Sequence, residues 1–83
     1  MSFFVYMIKT NDTKKTKTYV GYTNSLFNRL KKHNSNKGAK STKGRNWIII
    51  FKKKFISKSK AMSYEYKLKN NKTKRKKLLK KYS

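Results

Sequence analysis

The chain has no cysteine and no proline, and only three of its 83 residues are glycine. Without thiols it forms no disulfide, no thiolate zinc site and no iron–sulfur cluster, and a reducing compartment fits without being required. Acidic residues are scarce too: Asp12 and Glu65 stand against 25 lysines and arginines. Two carboxylates cannot assemble the bridging set that two-metal phosphodiester chemistry generally requires. Long apolar runs are also missing. The longest, residues 3–8, covers six positions, against the roughly 20 that a membrane-spanning helix needs. The N-terminus lacks the basic start and long apolar stretch of a secretory signal. The expected location is therefore the cytoplasm, or the nucleus if the host is eukaryotic.

What is present in excess is positive charge, a formal +23. Such a chain repels itself and needs a polyanion, because each lysine or arginine set on a phosphate releases condensed counterions. Nucleic acid is the expected partner. Anionic membrane is the weaker rival, since no segment has the long apolar-faced helix that lies in a bilayer interface. Charge alone does not separate an enzyme from a packaging or ribosome-associated protein.

At this length the chain is expected to be one domain, residues 1–83, with a small core. Aromatic residues, 14% of the chain, supply much of its buried area. Residues 3–8 read as a strand, with Val5 and Met7 on one face and Phe4, Tyr6 and Ile8 on the other. Asn11 and Asp12 provide turn chemistry for an antiparallel hairpin into a second strand over residues 18–22. Thr23, Asn24 and Ser25 are each able to cap a helix reaching about residue 34, with Leu26, Phe27 and Leu30 at helical spacing. Residues 34–46 read as a basic loop around Gly38 and Gly44. The apolar run 47–51, extended by Phe55 and Ile56, predicts a long central strand buried on both faces. Ser57 or Ser59 starts a helix with Ala61, Tyr64 and Leu68 inward, and Asn70–Asn71 interrupts it. Thr73 is the expected cap of a last helix, about residues 72–82, with Leu78, Leu79 and Tyr82 packed inward. Seven of the ten residues 72–81 are basic. No repeat or linker divides the chain.

Three features could carry chemistry. Arg29 and the only histidine, His33, are four residues apart and share a helix face. A guanidinium matches phosphate oxygens and a histidine moves protons near neutral pH; a solvated basic helix with an incidental histidine fits the pair as well. Glu65 is able to pair with Lys69 one turn on, or to bind magnesium, which favours one or two carboxylates plus water and phosphate oxygens. Tyr6 and Tyr19 stand on adjacent strands and fit either cross-strand packing or one shared cleft.

The order of these elements resembles the GIY-YIG nuclease family, particularly its small single-domain members. Val5-Tyr6-Met7 stands at the first triplet and Tyr19-Val20-Gly21 at the second. Residues 28–34 around Arg29 and His33, the loop containing Lys37, Gly38, Ala39, Lys40, Gly44 and Arg45, and residues 61–69 around Glu65 are similar as well. The ordered set is specific where no single triplet is. The resemblance implies an α+β fold of the α/β type, a three-stranded antiparallel sheet flanked by helices. It implies an endonuclease hydrolysing DNA phosphodiester bonds with one Mg2+ or Mn2+ ion. Glu65 would be the metal ligand, Tyr6 the general base or water-orienting group, Tyr19 a positioning group, Arg29 the phosphate stabiliser and His33 a proton-transfer aid. A late asparagine, Asn70 or Asn71, is a further expected site residue. Tyr6 would need its phenolate favoured by nearby cations. With no attached DNA-reading module, substrate choice falls to Lys37, Lys40, Lys43 and Arg45 in the loop and Lys72, Lys74 and Arg75 at the C-terminus, or to a protein partner or second copy. Branched or nicked DNA is among the expected substrates. The alternative is a non-catalytic, basic nucleic-acid-binding or packaging protein.

Overall fold

The computed structural model describes residues 2–10, 16–35 and 46–81. Three strands form one antiparallel sheet: β1 (Phe3–Thr10), β2 (Thr18–Thr23) and β3 (Trp47–Phe55), in the order β2-β1-β3. The α+β class and the three-stranded sheet flanked by helices are as the sequence predicts. Asn11 and Asp12, the turn residues expected of the hairpin, lie outside the described residues.

Register sets the site. Tyr6 pairs with Gly21 and Ile8 with Tyr19, so Tyr6, Tyr19 and Gly21 share one face of the sheet. Val5, Met7 and Val20 fall on the other face, as the period of two requires. Between β1 and β3 the register shifts: Met7 pairs with Phe51 but Ile8 pairs with Ile49. Ile50 is thus an extra residue in β3, a bulge that turns it into the Val5 and Met7 cluster while Ile49 stays with Ile8.

The central strand is β1, which corrects the reading of residues 47–51 as central. Both runs are apolar, but β1 is hydrogen-bonded on each side and β3 closes the sheet edge. Ile48 in β3 is 40% exposed, and Lys52, Lys53 and Lys54 are all exposed, the charged pattern that keeps an edge from pairing with another chain.

Of the three expected caps of helix α1 (Leu26–Asn34), Ser25 is the one used, its hydroxyl accepting from the Asn28 amide at 3.4 Å. Thr23 holds that corner: its hydroxyl accepts from the Ser25 amide at 3.1 Å and donates to the Ser25 carbonyl at 3.2 Å. Leu26, Leu30 and His33 face the sheet. Phe27 does not; at 77% exposure it lies 100° around the helix from Leu26 and falls outside the buried stripe.

Helix α2 (Lys58–Lys69) is capped by Ser57, whose hydroxyl accepts from the Lys60 amide at 3.4 Å. Ala61 and Leu68 are buried beneath it. Helix α3 (Lys72–Lys81) follows at once, and Asn71 rather than Thr73 caps it, its Oδ1 accepting from the Lys74 amide at 3.0 Å. A cap residue must precede the first helical turn, and Thr73 already lies inside it. Leu78 and Leu79 pack inward as expected; Tyr82 lies outside the described residues.

Two cores result, one on each sheet face. Val5, Met7, Val20, Ile50, Ala61 and Leu68 bury one face under α2 and α3. Tyr6, Ile8 and Trp47 bury the other, with Tyr19, Leu26, Leu30 and Ile49 packed around them under α1. Each fully buried large aliphatic side chain contributes about 1.5–3 kcal/mol. Among the described residues no helix is long and apolar enough to cross a membrane.

Candidate active site

A cleft of about 390 Å³ is lined by Tyr6, Tyr19, Gly21, Arg29, Lys58 and Glu65, with Phe3, Tyr22, Thr23 and Asn24 around them. It draws on α1, on β2 at the sheet edge and on α2. The sheet separates the two helices elsewhere, so the cleft gathers residues that the two cores keep apart.

Tyr6 lines the cleft, and His33 lies behind Tyr6. Both are almost fully buried, at 2% and 1% exposure, and the Tyr6 hydroxyl lies 2.9 Å from His33 Nε2. Tyr19 stands beside them, its ring centre 6.4 Å from that of Tyr6 and 5.0 Å from that of His33. The close approach depends on Gly21. A Cβ there would stand 2.6 Å from the Tyr6 hydroxyl and 3.2 Å from the Tyr19 ring, so the glycine is required for contact, not for a turn.

Burial sets the protonation states of the pair. Burial pushes the Tyr6 phenol well above its ordinary value, with the neighbouring Tyr19 and Glu65 adding to the rise and Arg29 opposing it. The resting group is the neutral phenol, and the phenolate that a base role would need is disfavoured, because desolvation outweighs the Arg29 guanidinium. Burial, with help from Arg29, lowers His33 below its ordinary 6.5. In the tautomer that carries the imidazole proton on Nδ1, Tyr6 donates and His33 Nε2 accepts.

His33 is placed by its neighbour in sequence. Asn34 Oδ1 accepts from the Trp47 amide at 2.6 Å, and Asn34 Nδ2 donates to the Trp47 carbonyl at 3.2 Å. This two-way clamp ties the end of α1 to the first residue of β3. It was not among the expected site residues, and its only trace in the sequence is an asparagine ending a helix.

Arg29 is exposed at the rim, one turn before His33. Glu65 faces the cleft from α2 with its side chain 17% exposed, and Lys69 Nζ lies 3.6 Å from its Oε1. Both sequence readings of Glu65, helix ion pair and cleft acid, therefore describe the same side chain. Among the described residues no three histidine, cysteine or acidic side chains converge. The donor set instead fits one hard cation: a single carboxylate, hydroxyl groups and a cleft with room for water and phosphate oxygens.

The remaining expectations divide. Lys37, Lys40, Lys43 and Arg45 lie outside the described residues. Lys72, Lys74 and Arg75 sit on α3, over the other core, and do not line the cleft. Lys74 Nζ donates to the Tyr64 hydroxyl at 2.9 Å, and Arg75 packs near Met7 and Thr18. Asn70 and Asn71 do not line the cleft: Asn70 Nδ2 donates to the Tyr66 carbonyl at 2.9 Å and Asn71 caps α3. The asparagine that does line the cleft is Asn24.

A small α+β protein with two tyrosines, an arginine and one glutamate lining a cleft, and a histidine bonded behind one of the tyrosines, is the class that fold and geometry define. A family model described as the GIY-YIG catalytic domain matches residues 2–81, and the chain belongs to the GIY-YIG family, a family of nucleases. It is 45% identical over 67 residues to a UPF0213 protein of Oceanobacillus iheyensis, covering 80% of this chain and 74% of that one. It is 43% identical over 76 residues to the UPF0213 protein YazA of Bacillus subtilis, covering 90% and 74%. The solution NMR structure of a UPF0213 protein from Bacillus halodurans superposes with a TM-score of 0.55 at 36% identity, over 96% of this chain and 84% of that one.

Proposed function

We propose that the protein is a metal-dependent DNA endonuclease that hydrolyses phosphodiester bonds with structural or weak sequence preference. The observation that carries the reading is the buried Tyr6–His33 hydrogen bond behind a cleft that Tyr6 lines together with Glu65 of α2.

The arrangement is a proton relay. Water held against the Tyr6 hydroxyl gives its proton to Tyr6 Oη as the Tyr6 proton passes to His33 Nε2, so no free phenolate is needed. The hydroxide formed attacks phosphorus, the bond to the leaving oxygen breaks, and that oxygen takes a proton from solvent. Arg29 sets a planar fork against the non-bridging oxygens, where negative charge grows. Tyr19 orients the water or the phosphate from the neighbouring strand. Glu65 would hold one Mg2+ or Mn2+ ion, which when bound supplies Lewis-acid stabilisation of the phosphate charge.

A competing reading, a non-catalytic basic packaging protein, is favoured by the placement of Lys72, Lys74 and Arg75 away from the cleft. The two readings separate in one assay. Supercoiled, branched and single-stranded DNA are incubated with Mg2+ or Mn2+ and either the wild type or Glu65→Ala. Cutting by the wild type that Glu65→Ala lacks supports the nuclease; equal cutting by both removes the assigned site, and binding without cutting favours packaging.

A further inference from the structure

Two lysines share the helix face that presents Glu65. Lys58, Glu65 and Lys69 stand seven and four residues apart along α2, spacings that align them in one row. Lys58 lines the cleft. Lys69 reaches it from the far end, its Nζ 3.6 Å from Glu65 Oε1 and 6.0 Å from the centre of the Tyr19 ring. Ion pairs of this i,i+4 kind on a helix surface are weak, so the ammonium is free to exchange the carboxylate for a phosphate oxygen.

Distances along the row match a nucleic-acid backbone. At 1.5 Å of rise per residue Lys58 lies roughly 10 Å before Glu65 and Lys69 about 6 Å after it. Consecutive phosphates of one strand lie roughly 7 Å apart along the backbone, about twice the 3.4 Å axial rise, so these spans correspond to about one to two phosphates on one side and about one on the other. Tyr6 and Arg29 line the same cleft as Glu65, so a phosphate held there has one lysine toward each end of α2.

We propose, resting on the nuclease reading above, that α2 is the guide rail of the cut DNA strand: the backbone runs along the Lys58–Glu65–Lys69 row, and the two lysines hold the phosphates flanking the scissile one. Neither lysine is a group of the chemical step. Both act by fixing the register of the strand, and Lys69 leaves Glu65 as the strand arrives.

The test separates binding from cutting. Anisotropy of a labelled DNA duplex is followed through a salt series without divalent metal, where each phosphate contact contributes about 0.9 to the log–log slope. Lys58→Gln and Lys69→Gln are each expected to lower the slope by about 0.9, and Lys58→Arg and Lys69→Arg to restore it. Lys60→Gln, exposed on the other side of α2, is expected to leave it unchanged. In cleavage assays with Mn2+ the two glutamine variants are expected to raise KM by about five- to tenfold with kcat within about twofold, as lost ground-state binding requires. Wild-type slopes in both variants, or an equal loss in Lys60→Gln, overturn the rail. A protein that shows the expected slopes yet never cuts supports the rail and overturns the nuclease reading alone.

Discussion

Tyr6 and Gly21 are direct partners across the first two strands, and the Tyr6 hydroxyl occupies the space where a side chain at position 21 would begin, 2.6 Å from an ideal Cβ. The glycine lets a buried phenol lie flat over the neighbouring strand and reach His33. The Tyr-x-Gly pattern is thus a packing requirement of the relay.

Gly21→Ala is expected to displace the Tyr6 ring and break its bond to His33. Overpacking of this kind costs about 1–3 kcal/mol, which thermal unfolding of a domain this size reads as roughly 4–8 °C for each kcal/mol. Cutting is expected to fall by about 100-fold, the lower range for losing a positioned proton acceptor. Wild-type activity in a folded Gly21→Ala protein, measured on the same DNA, would show that the contact is not needed.

The relay also sets a pH profile. His33 accepts a proton only while neutral, and burial with Arg29 lowers its pKa below 6.5. Cleavage is expected to decline on acidification with a midpoint below 6.5, and His33→Gln to remove that limb along with most of the rate. Stability follows the same sign. The unfolded histidine binds a proton at a higher pH than the folded one, so stability falls as pH drops below about 6.5 toward the folded value and is steady above it. A urea midpoint that does not change between pH 7.5 and pH 5.5 in the wild type, or changes equally in His33→Gln, would contradict this.

Asn34→Ala is expected to release the end of α1 from β3. It removes both side-chain bonds to Trp47 and leaves the strand's first amide and carbonyl to find other partners, a loss of about 1–3 kcal/mol. Because His33 is the adjacent residue, kcat should fall while DNA affinity is retained. Asn34→Asp keeps the acceptor for the Trp47 amide but loses the donor, so its melting temperature is expected between those of Asn34→Ala and the wild type.

Periodicity and composition were enough to place most elements. Alternation assigned Tyr6 and Val5 to opposite faces of β1, helical spacing put Ala61 and Leu68 inward, and a surplus of lysine over two acids pointed to a polyanionic partner. These are local properties, written by periods of 2 and 3.6 residues. They did not reveal that β1 is central, since two apolar runs of similar character, 3–8 and 47–51, compete for that position and only pairing on both sides settles it.

Tertiary structure alone decided the chemistry of the site. The Tyr6–His33 bond joins residues 27 positions apart, the Asn34–Trp47 clamp spans 13, and neither leaves a local pattern. The protonation states follow from burial, which depends on what α1 and the sheet remove from water together: a neutral phenol and a neutral imidazole. Sequence determined which residue types were available, a single histidine and a glutamate on a lysine-rich helix. The fold decided that Gly21 would leave room for them to meet, because a contact between strands is set by register and not by either strand's own composition.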